Sequence, residues 1–588
     1  SPEGLLLQID ADKPIAETTD AEVLWIDNVY GGCRKSDVRP EYSYANSTSV
    51  PVPTEEIKLP DEDNPGQAHA GYAARVRVLG GYVNNVYGGN DISGTVYGGN
   101  TIGIFTTIHG NVYGGGNGSY AYTDQASLKD DPQWGDFYYN PGSSSVAALN
   151  AHRPNAERVS IRVSGTSDDK PTIVEGALYV GGNSATLEKK SADIARATAE
   201  LKIGSYVIID KVFLGNNGEN MVDPAILTKY AEPDFSSLKL VGENNVFATY
   251  MDGCAMKIDP NVVFDDGINS PDVYVPYSTK FGSFYCGGNV GSIIKDGVVT
   301  VNFEDKVIIY DKLVAGCNNA NVPFRKGLNA AYEGGVLGTF ATPENGKDIG
   351  NKLILNLSGL KIQPKRWIDE SDRTKGLEWN TFIGNDKNVI AANASTGPAS
   401  NDDLNRRFKG GNIYGGCYSS GIVNGNVIIN INATIVDRNI LFDEVDTDDE
   451  TGEDKLYGNT YTIKQRHSGV ILGQQGMDVL GKALNVFGGG KGKETEIWGS
   501  ATVNLNAGYT FQIFGGSEEG AIGKKGDDGK YTYNPAYSTY VNLSGSSNHP
   551  GVPKSKDTSD EMAQIEFIYG GGFEGPIAGD THLNLGNG

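Results

Sequence analysis

Cysteine, histidine, positive charge and long apolar runs are all scarce in this chain, and each shortage removes a class of function. Five cysteines among 588 residues (Cys33, Cys254, Cys286, Cys317 and Cys417) are too few and too scattered for a disulfide framework, and without paired CxxC spacing they make no zinc site. Six histidines with no HExxH pair leave zinc hydrolysis without support. Lys and Arg number 49 against 73 Asp and Glu, a formal charge of −24, which repels phosphate backbones and excludes nucleic acid as a partner. No stretch approaches about 18 consecutive apolar residues, so no transmembrane segment is expected. Ser1 opens the chain without a charged-then-apolar leader, so the signal of an exported form is expected to have been removed or to lie outside this sequence. Helix signals are nearly missing: the one candidate, the alanine-rich Ser191–Glu200, is too short to stand alone. Gly488 to Lys493 lacks the hydroxyl residue and following helix of a phosphate-binding loop.

What the chain has in excess is glycine, 79 residues, in no Gly-X-Y period. Many sit in one repeated phrase, a β-branched residue and an aromatic before two glycines, usually with Asn in front. It occurs at Asn28–Gly32, Asn85–Gly89, Val96–Gly99, Asn111–Gly115, Asn412–Gly416, Asn485–Gly489, Ile513–Gly516 and Ile568–Gly571. Weaker copies run Tyr179 to Asn183, Phe213 to Asn217, Tyr285 to Asn289 and Val314 to Asn318. Cys33, Cys317 and Cys417 follow a turn glycine where other copies carry Asn90 or Asn100, which marks them as small, partly buried turn residues. A second phrase, apolar-Asn-apolar, recurs around Asn302, Asn356, Asn430, Asn504, Asn542 and Asn584. Its strict alternation puts Val503 and Leu505 on one face and Asn504 on the other, the pattern of a half-buried strand.

The stretches Leu505 to Phe514 and Tyr87 to Tyr97 each hold one short strand and a turn but no crossover helix, so each strand must neighbour its equivalent one coil away. The expected fold is all-β, a right-handed parallel β-helix solenoid with long loop insertions. The Gly-Gly pairs are expected to supply unusual dihedrals at the corners. Tyr30, Tyr87, Tyr97 and Tyr113 are expected to form an aromatic ladder, for which packing is a stronger reading than ligand stacking. Asn residues ahead of the aromatic are expected to bond the neighbouring coil's backbone rather than a sugar.

The whole chain, 1–588, reads as one elongated repeat domain with insertions at 118–157, 321–350, 361–410, 436–467, 517–537 and 545–565. Function is expected in such excursions. The first carries Tyr120, Tyr122, Trp134, Phe137, Tyr138 and Tyr139, an aromatic set suited to a sugar face or a protein interface; a local mini-core is the competing reading. In the fourth, Asp446, Asp448, Asp449 and Glu450 make calcium the one candidate cofactor, although Thr451 stands where an EF-hand loop needs glycine.

Several phrases resemble enzyme motifs and compete with turn readings. Trp25-Ile26-Asp27 resembles the Trp-Ile-Asp-His phrase of pectate lyases with Asn28 in place of His, and Arg153 to Arg158 is a distorted form of their arginine motif. The acid pairs Asp265-Asp266, Asp402-Asp403 and Asp527-Asp528 suit acid/base work on a glycosidic bond, yet acids before Gly267 and Gly529 more often make turns.

The coil phrase, above all Val112 to Asn117, resembles that of Gly-rich parallel β-helix repeat proteins of Bacteroidota cell surfaces. The resemblance implies a secreted protein on the extracellular or outer-membrane surface, as a lipoprotein or part of a larger surface protein. It implies a noncatalytic, adhesin-like or accessory role in capturing a glycan or partner protein, including work beside outer-membrane transporter components of a nutrient uptake complex. No lipid-bearing Cys stands at the start of this chain. Two alternatives remain open: a polysaccharide lyase or glycoside hydrolase, and a structural segment of a longer surface fibre, the latter favoured by a final turn at Leu585 to Gly588 where another strand is expected.

Overall fold

The computed structural model describes residues 24–39, 73–120, 126–132, 152–166, 170–187, 198–204, 206–218, 280–290, 298–303, 308–322, 351–358, 412–432, 485–506, 508–543 and 563–586, with short strand segments elsewhere. The chain is all-β, and most strands pair in parallel. No described helix is long and apolar enough to cross a membrane. Contacts divide the chain into two compact units: Ser1–Pro271 with Cys286–Val299 and Cys317–Ala341, and Asp272–Tyr285 with Thr300–Gly316 and Thr342–Gly588.

In the first unit the chain visits three parallel sheets in a fixed cyclic order. One contains Leu5–Ile9, Ala74–Val78, Asn100–Ile104, Arg158–Val163 and Thr198–Ile203; the next contains Trp25–Tyr30, Tyr82–Tyr87, Val112–Tyr113, Thr172–Tyr179 and Val207–Phe213; the third contains the two-residue strands Thr95–Val96, Asn155–Ala156 and Thr186–Leu187. Register puts like upon like: Val76, Ile102, Ile161 and Leu201 form one column, Val78, Ile104, Val163 and Ile203 another, and all are fully buried. Each such side chain contributes about 1.5–3 kcal/mol relative to exposure, which is why alternation survives in strands of otherwise polar composition. The alanine-rich segment expected to be helical ends in the strand Thr198–Ile203, where pairing of Ala199 with Val159 and Leu201 with Ile161 overrides local propensity.

The second unit repeats the scheme. Asn412–Tyr414, Ser420–Val423 and Asn426–Asn432 are followed by Asn485–Phe487, Glu494–Ile497 and Ala501–Leu505, then by Gly508–Phe514, Ala521–Ile522 and Thr539–Leu543. Leu355, Ile429, Val503 and Val541 stack inward without exposure. The segment 517–537, read from composition as an insertion, carries the third-sheet strand Ala521–Ile522 and a 3-10 turn at Pro535–Tyr537 capped by Asn534. One strand is split: Ile308–Val314 pairs through its first half with Lys361–Ile362 and through its second with Asn412–Tyr414, so the excursion expected to span 361–410 leaves from mid-strand.

Aromatic ladders lie along the corner in each unit. Tyr30, Tyr87, Tyr113, Tyr179 and Phe213 stack with ring centroids 4.9, 4.7, 5.0 and 4.9 Å apart, matching the strand spacing of about 4.8 Å. Tyr414, Phe487, Phe514 and Tyr569 do the same at 5.2, 5.1 and 4.6 Å. Tyr97 does not join. Its phrase lies in the short third sheet, its ring faces the Arg39 guanidinium at 3.6 Å, and Gly98 and Gly99 adopt φ of +72° and +92°.

The other corner glycines serve a different end from the one expected. None of Gly31, Gly88, Gly114, Gly415, Gly488 and Gly515 has positive φ. Each is needed because a Cβ there would collide with the carbonyl oxygen of the neighbouring corner, that of Gly88, Gly114, Val180, Gly488, Gly515 and Gly570 respectively. The second glycine is excluded from having a side chain by the next turn residue: Asn90 lies over Gly32, Asn216 over Gly181 and Ser517 over Gly489. Their side-chain oxygens accept the N–H of Cys33 (2.8 Å), Gly182 (2.8 Å) and Gly490 (3.1 Å). Three of the cysteines are fully buried and Cys33 partly so.

This steric account separates two glycines of one column. Gly515→Ala should destabilise the protein by about 1–3 kcal/mol, whereas Gly570→Ala, whose Cβ would meet only Thr581 at 3.5 Å, should stay within about 0.5 kcal/mol of wild type. Denaturant unfolding monitored by circular dichroism checks the pair; equal losses would contradict the steric account.

Candidate functional site

Four residues beyond Tyr87, Tyr113, Tyr179, Phe213, Tyr285 and Val314 lies an Asp or Asn side chain, and these join into one hydrogen-bonded row. Asn318 Nδ2 donates to Asn289 Oδ1 (2.7 Å), Asn289 to Asn217 (2.8 Å), Asn217 to Asn183 (2.7 Å), Asn183 to Asn117 (3.0 Å) and Asn117 to the Asp91 carboxylate (3.0 Å). All the amides point their donors the same way, so their dipoles reinforce one another, and a carboxylate, which only accepts, terminates the row. The recurring Asn at this position was visible in the copies ending at Asn117, Asn183, Asn217, Asn289 and Asn318, but its lateral bonding was not inferred from the sequence.

Asp91 is the centre of a half-buried cluster. Tyr120 Oη donates to its Oδ1 at 2.5 Å, Asn117 Nδ2 also reaches the Tyr30 hydroxyl oxygen at 3.4 Å, and Arg34 Nε lies 3.9 Å from Oδ2. Burial, reinforced by the Asp91 charge, pushes the hydroxyls of Tyr30 and Tyr120 well above their ordinary range and that of Tyr87 up to about 12. Of the six aromatic candidates in the first excursion, Tyr120 is therefore tied to the wall through its hydroxyl. Tyr122, Trp134, Phe137, Tyr138 and Tyr139 lie outside the described residues, as do the calcium candidates Asp446, Asp448, Asp449 and Glu450. Among the described residues no three of His, Cys, Asp and Glu gather as a metal group.

The buried acids are engaged in packing. Glu157 accepts the Gly98 N–H at 2.8 Å. Glu518 accepts the Tyr414 hydroxyl at 2.6 Å, and Asn412 donates to that hydroxyl's oxygen at 3.1 Å. Asp528 accepts the Lys530 N–H at 3.0 Å in a tight turn where Gly529 has φ +76°, the turn reading of the Asp527-Asp528 pair. Asp265-Asp266 and Asp402-Asp403 lie outside the described residues. Gly488 and Gly489 form a corner and lead into the strand Glu494–Ile497.

Asn residues ahead of the aromatic bond the neighbouring backbone, as expected: the side-chain oxygens of Asn85, Asn111 and Asn412 accept the N–H of Asn111 (2.9 Å), Ala177 (2.8 Å) and Asn485 (2.8 Å). In the second unit a further amide row, Asn584 to Asn542 to Asn504 to Asn430 to Asn356, runs at 2.6–2.7 Å between successive side chains.

An open arrangement appears on the outer face of the first unit's second sheet. Trp25, Tyr82 and His109 stack with centroids 4.0 and 3.9 Å apart, and His109 Nδ1 lies 3.1 Å from Glu175. Beside them Asn84 donates to Asp27 at 2.6 Å and Asn85 to Asn28 at 3.1 Å. Trp25 is 63% exposed.

Two outcomes follow from the ladders. Asn217→Ala removes two bonds of a buried row and should cost about 1–3 kcal/mol; Asn584→Ala, at the exposed end of the other row, should cost less than about 0.5 kcal/mol, as read by thermal unfolding. Burial pushes the Tyr418 hydroxyl, four residues past the corner Tyr414, up to about 12 as it does that of Tyr87. A tyrosine whose folded pKa exceeds its unfolded value of about 10 holds its proton more tightly when folded, so its stabilisation is complete below pH 10 and fades as pH rises toward 12 for Tyr87 and Tyr418. Absorbance at 295 nm should show these tyrosines still protonated at pH 11; full native-state ionisation there would contradict the burial. No protein-family model matches the chain, and no curated protein or solved structure shows significant similarity to it.

Proposed function

We propose that each unit winds as a right-handed parallel β-helix and that the chain is a noncatalytic surface protein, presenting its excursions to a glycan or a partner protein outside the cell. The observation that carries this reading is the use of wall side chains by the wall itself. Inward aliphatics stack in columns, corner aromatics stack ring on ring, and Asp91, Glu157 and Glu518 are bonded within the packing. A scaffold so saturated leaves recognition to the segments that depart from it. The cyclic sheet order supports the helical winding, and the hand follows from the preference of parallel crossovers. The coil phrase's resemblance to Bacteroidota surface repeats supports export, and with it an adhesin-like or uptake-accessory role.

The test pairs binding with chemistry. The full chain incubated with uronate-containing and neutral polysaccharides should release no unsaturated products and no new reducing ends, while deletion of residues 121–139, which spares Tyr120, should weaken retention on an immobilised glycan or partner protein at least tenfold. Product formation would overturn the noncatalytic reading, and unchanged retention would remove the excursion from it.

A further inference from the structure

We infer that the outer face of the sheet containing Ala74–Val78, Asn100–Ile104 and Arg158–Val163 binds an acidic polysaccharide, with Arg77 and Arg162 holding its uronate or sulfate groups and the Phe105 ring between them meeting its sugar rings. This rests on the glycan-capture reading above, names the class of glycan, and adds a site on the strand wall, separate from the excursions.

Three observations converge on it. First, this face is basic in an acidic chain. Val76, Val78, Ile102, Ile104, Ile161 and Val163 are fully buried, so alternation turns the residues between them outward. Those are Arg75 and Arg77, Thr101 and Gly103, and Ser160 and Arg162, with Arg158 at the head of its strand. Register sets Leu6 and Gln8 in line with them on one side, Glu200 and Lys202 on the other. Glu200 is the lone carboxylate at these positions, although acids outnumber bases 73 to 49 in the chain. Charges are screened beyond about 8 Å at physiological salt, so a ligand touching this face meets its arginines and not the net −24. The matching sheet of the second unit shows that the wall itself needs no cations there, since its outward column is the amide row from Asn356 to Asn584.

Second, the geometry fits a polymer that carries both charge and a flat ring. Arg77, Gly103 and Arg162 share one column, with Lys202 paired to Arg162. At a strand spacing of about 4.8 Å the two arginines therefore stand roughly 10 Å apart at the backbone. Gly103 puts no side chain between them, and Phe105 fills that place: a Cβ on Gly103 would meet Phe105 Cε2 at 2.8 Å, and the Arg77 guanidinium carbon lies 5.9 Å from the ring centroid. Arg77 is exposed, while Phe105 and Arg162 are half-buried. A guanidinium fork matches a carboxylate or a tetrahedral oxyanion, and the C–H face of a pyranose matches the ring. A nucleic-acid duplex, with a charge about every 1.7 Å, is far denser than this column.

Third, the column gains from an anion. Arg162 and Lys202 occupy directly paired positions, and like charges so placed destabilise a sheet. No carboxylate stands in the column from Arg77 to Lys202. An acidic polymer running along it, across the strands, offsets that repulsion, and bound polymer is therefore expected to raise the melting temperature.

Arg77→Gln, Arg162→Gln and the double variant test the site in the full chain, with Lys530→Gln, an exposed position of the second unit, as control and circular dichroism confirming the fold. Affinity electrophoresis and calorimetry against polygalacturonate, chondroitin sulfate and mannan should show an acidic polymer bound, more weakly as salt rises. The double variant should bind it at least tenfold more weakly, Phe105→Ala more weakly, Arg77→Lys between wild type and Arg77→Gln, and Lys530→Gln like wild type, with the same arginine dependence after deletion of 121–139. The acidic polymer should raise the melting temperature of the wild type and not that of the double variant. Binding of mannan alone, or acidic-polymer binding indifferent to the arginines, overturns the site while leaving the glycan reading intact. Binding of no polymer, or cleavage of any, overturns that reading and the site with it. Duplex DNA or a peptide of residues 443–454 bound as tightly as the acidic polymer, or a dimer that the double variant dissociates, overturns the site as well.

Discussion

The stacking depends on the close approach of backbone to backbone at the corner after the aromatic residue. There the carbonyl of one strand's first glycine occupies the space a Cβ would fill on the neighbouring first glycine, from Gly88 over Gly31 to Gly570 over Gly515. The N–H of each such glycine donates to the aromatic residue's carbonyl on the next strand, as Gly88 does to Tyr113 at 2.9 Å and Gly488 to Phe514 at 2.9 Å. Just past the corner the bonding turns to the opposite neighbour, Asn117 N–H to Asn90 and Glu518 N–H to Gly490, both at 2.9 Å. A methyl group would separate the strands at the point where these two directions of bonding meet.

Once that approach is fixed, other choices follow from translation along one direction. Identical residues meet at strand spacing, so rings stack flat and amides bond in rows. Flat stacking adds about 0.5–1.5 kcal/mol per pair beyond burial, and a satisfied amide row avoids the cost of leaving a buried donor unmade. Polar residues thereby become wall material: Asn183 and Asn217 are nearly as buried as the tyrosines beside them.

Much of this was legible because repetition exposes it. The alternation around Val503-Asn504-Leu505 gave strand, face and inward column together, and the recurring Tyr-Gly-Gly gave the corner. The dihedral explanation of the glycines was not recoverable, since a sequence does not distinguish a glycine needed for positive φ from one needed for a neighbour's carbonyl; Gly98-Gly99 and Gly88-Gly89 read alike and behave differently. Tyr97 misled for the same reason, a local phrase being blind to which sheet receives it. The Asp91 row needed long-range register to appear, although the Asn four places past Tyr113, Tyr179, Phe213 and Tyr285 was its trace. The ring stack of Trp25, Tyr82 and His109 lay hidden because Tyr82 and His109 fall in phrases with no common pattern, brought together by pairing alone.

In-register parallel stacking is the central claim, and spin labels test it most directly. With Cys33 and Cys254 replaced by serine, nitroxides attached to Asn504→Cys and Asn542→Cys sit on directly paired positions of adjacent strands, about 4.8 Å apart at the backbone. The continuous-wave spectrum of the double-labelled protein should be strongly dipolar-broadened relative to the sum of the two single-labelled spectra. A double-labelled spectrum equal to that sum would contradict the account.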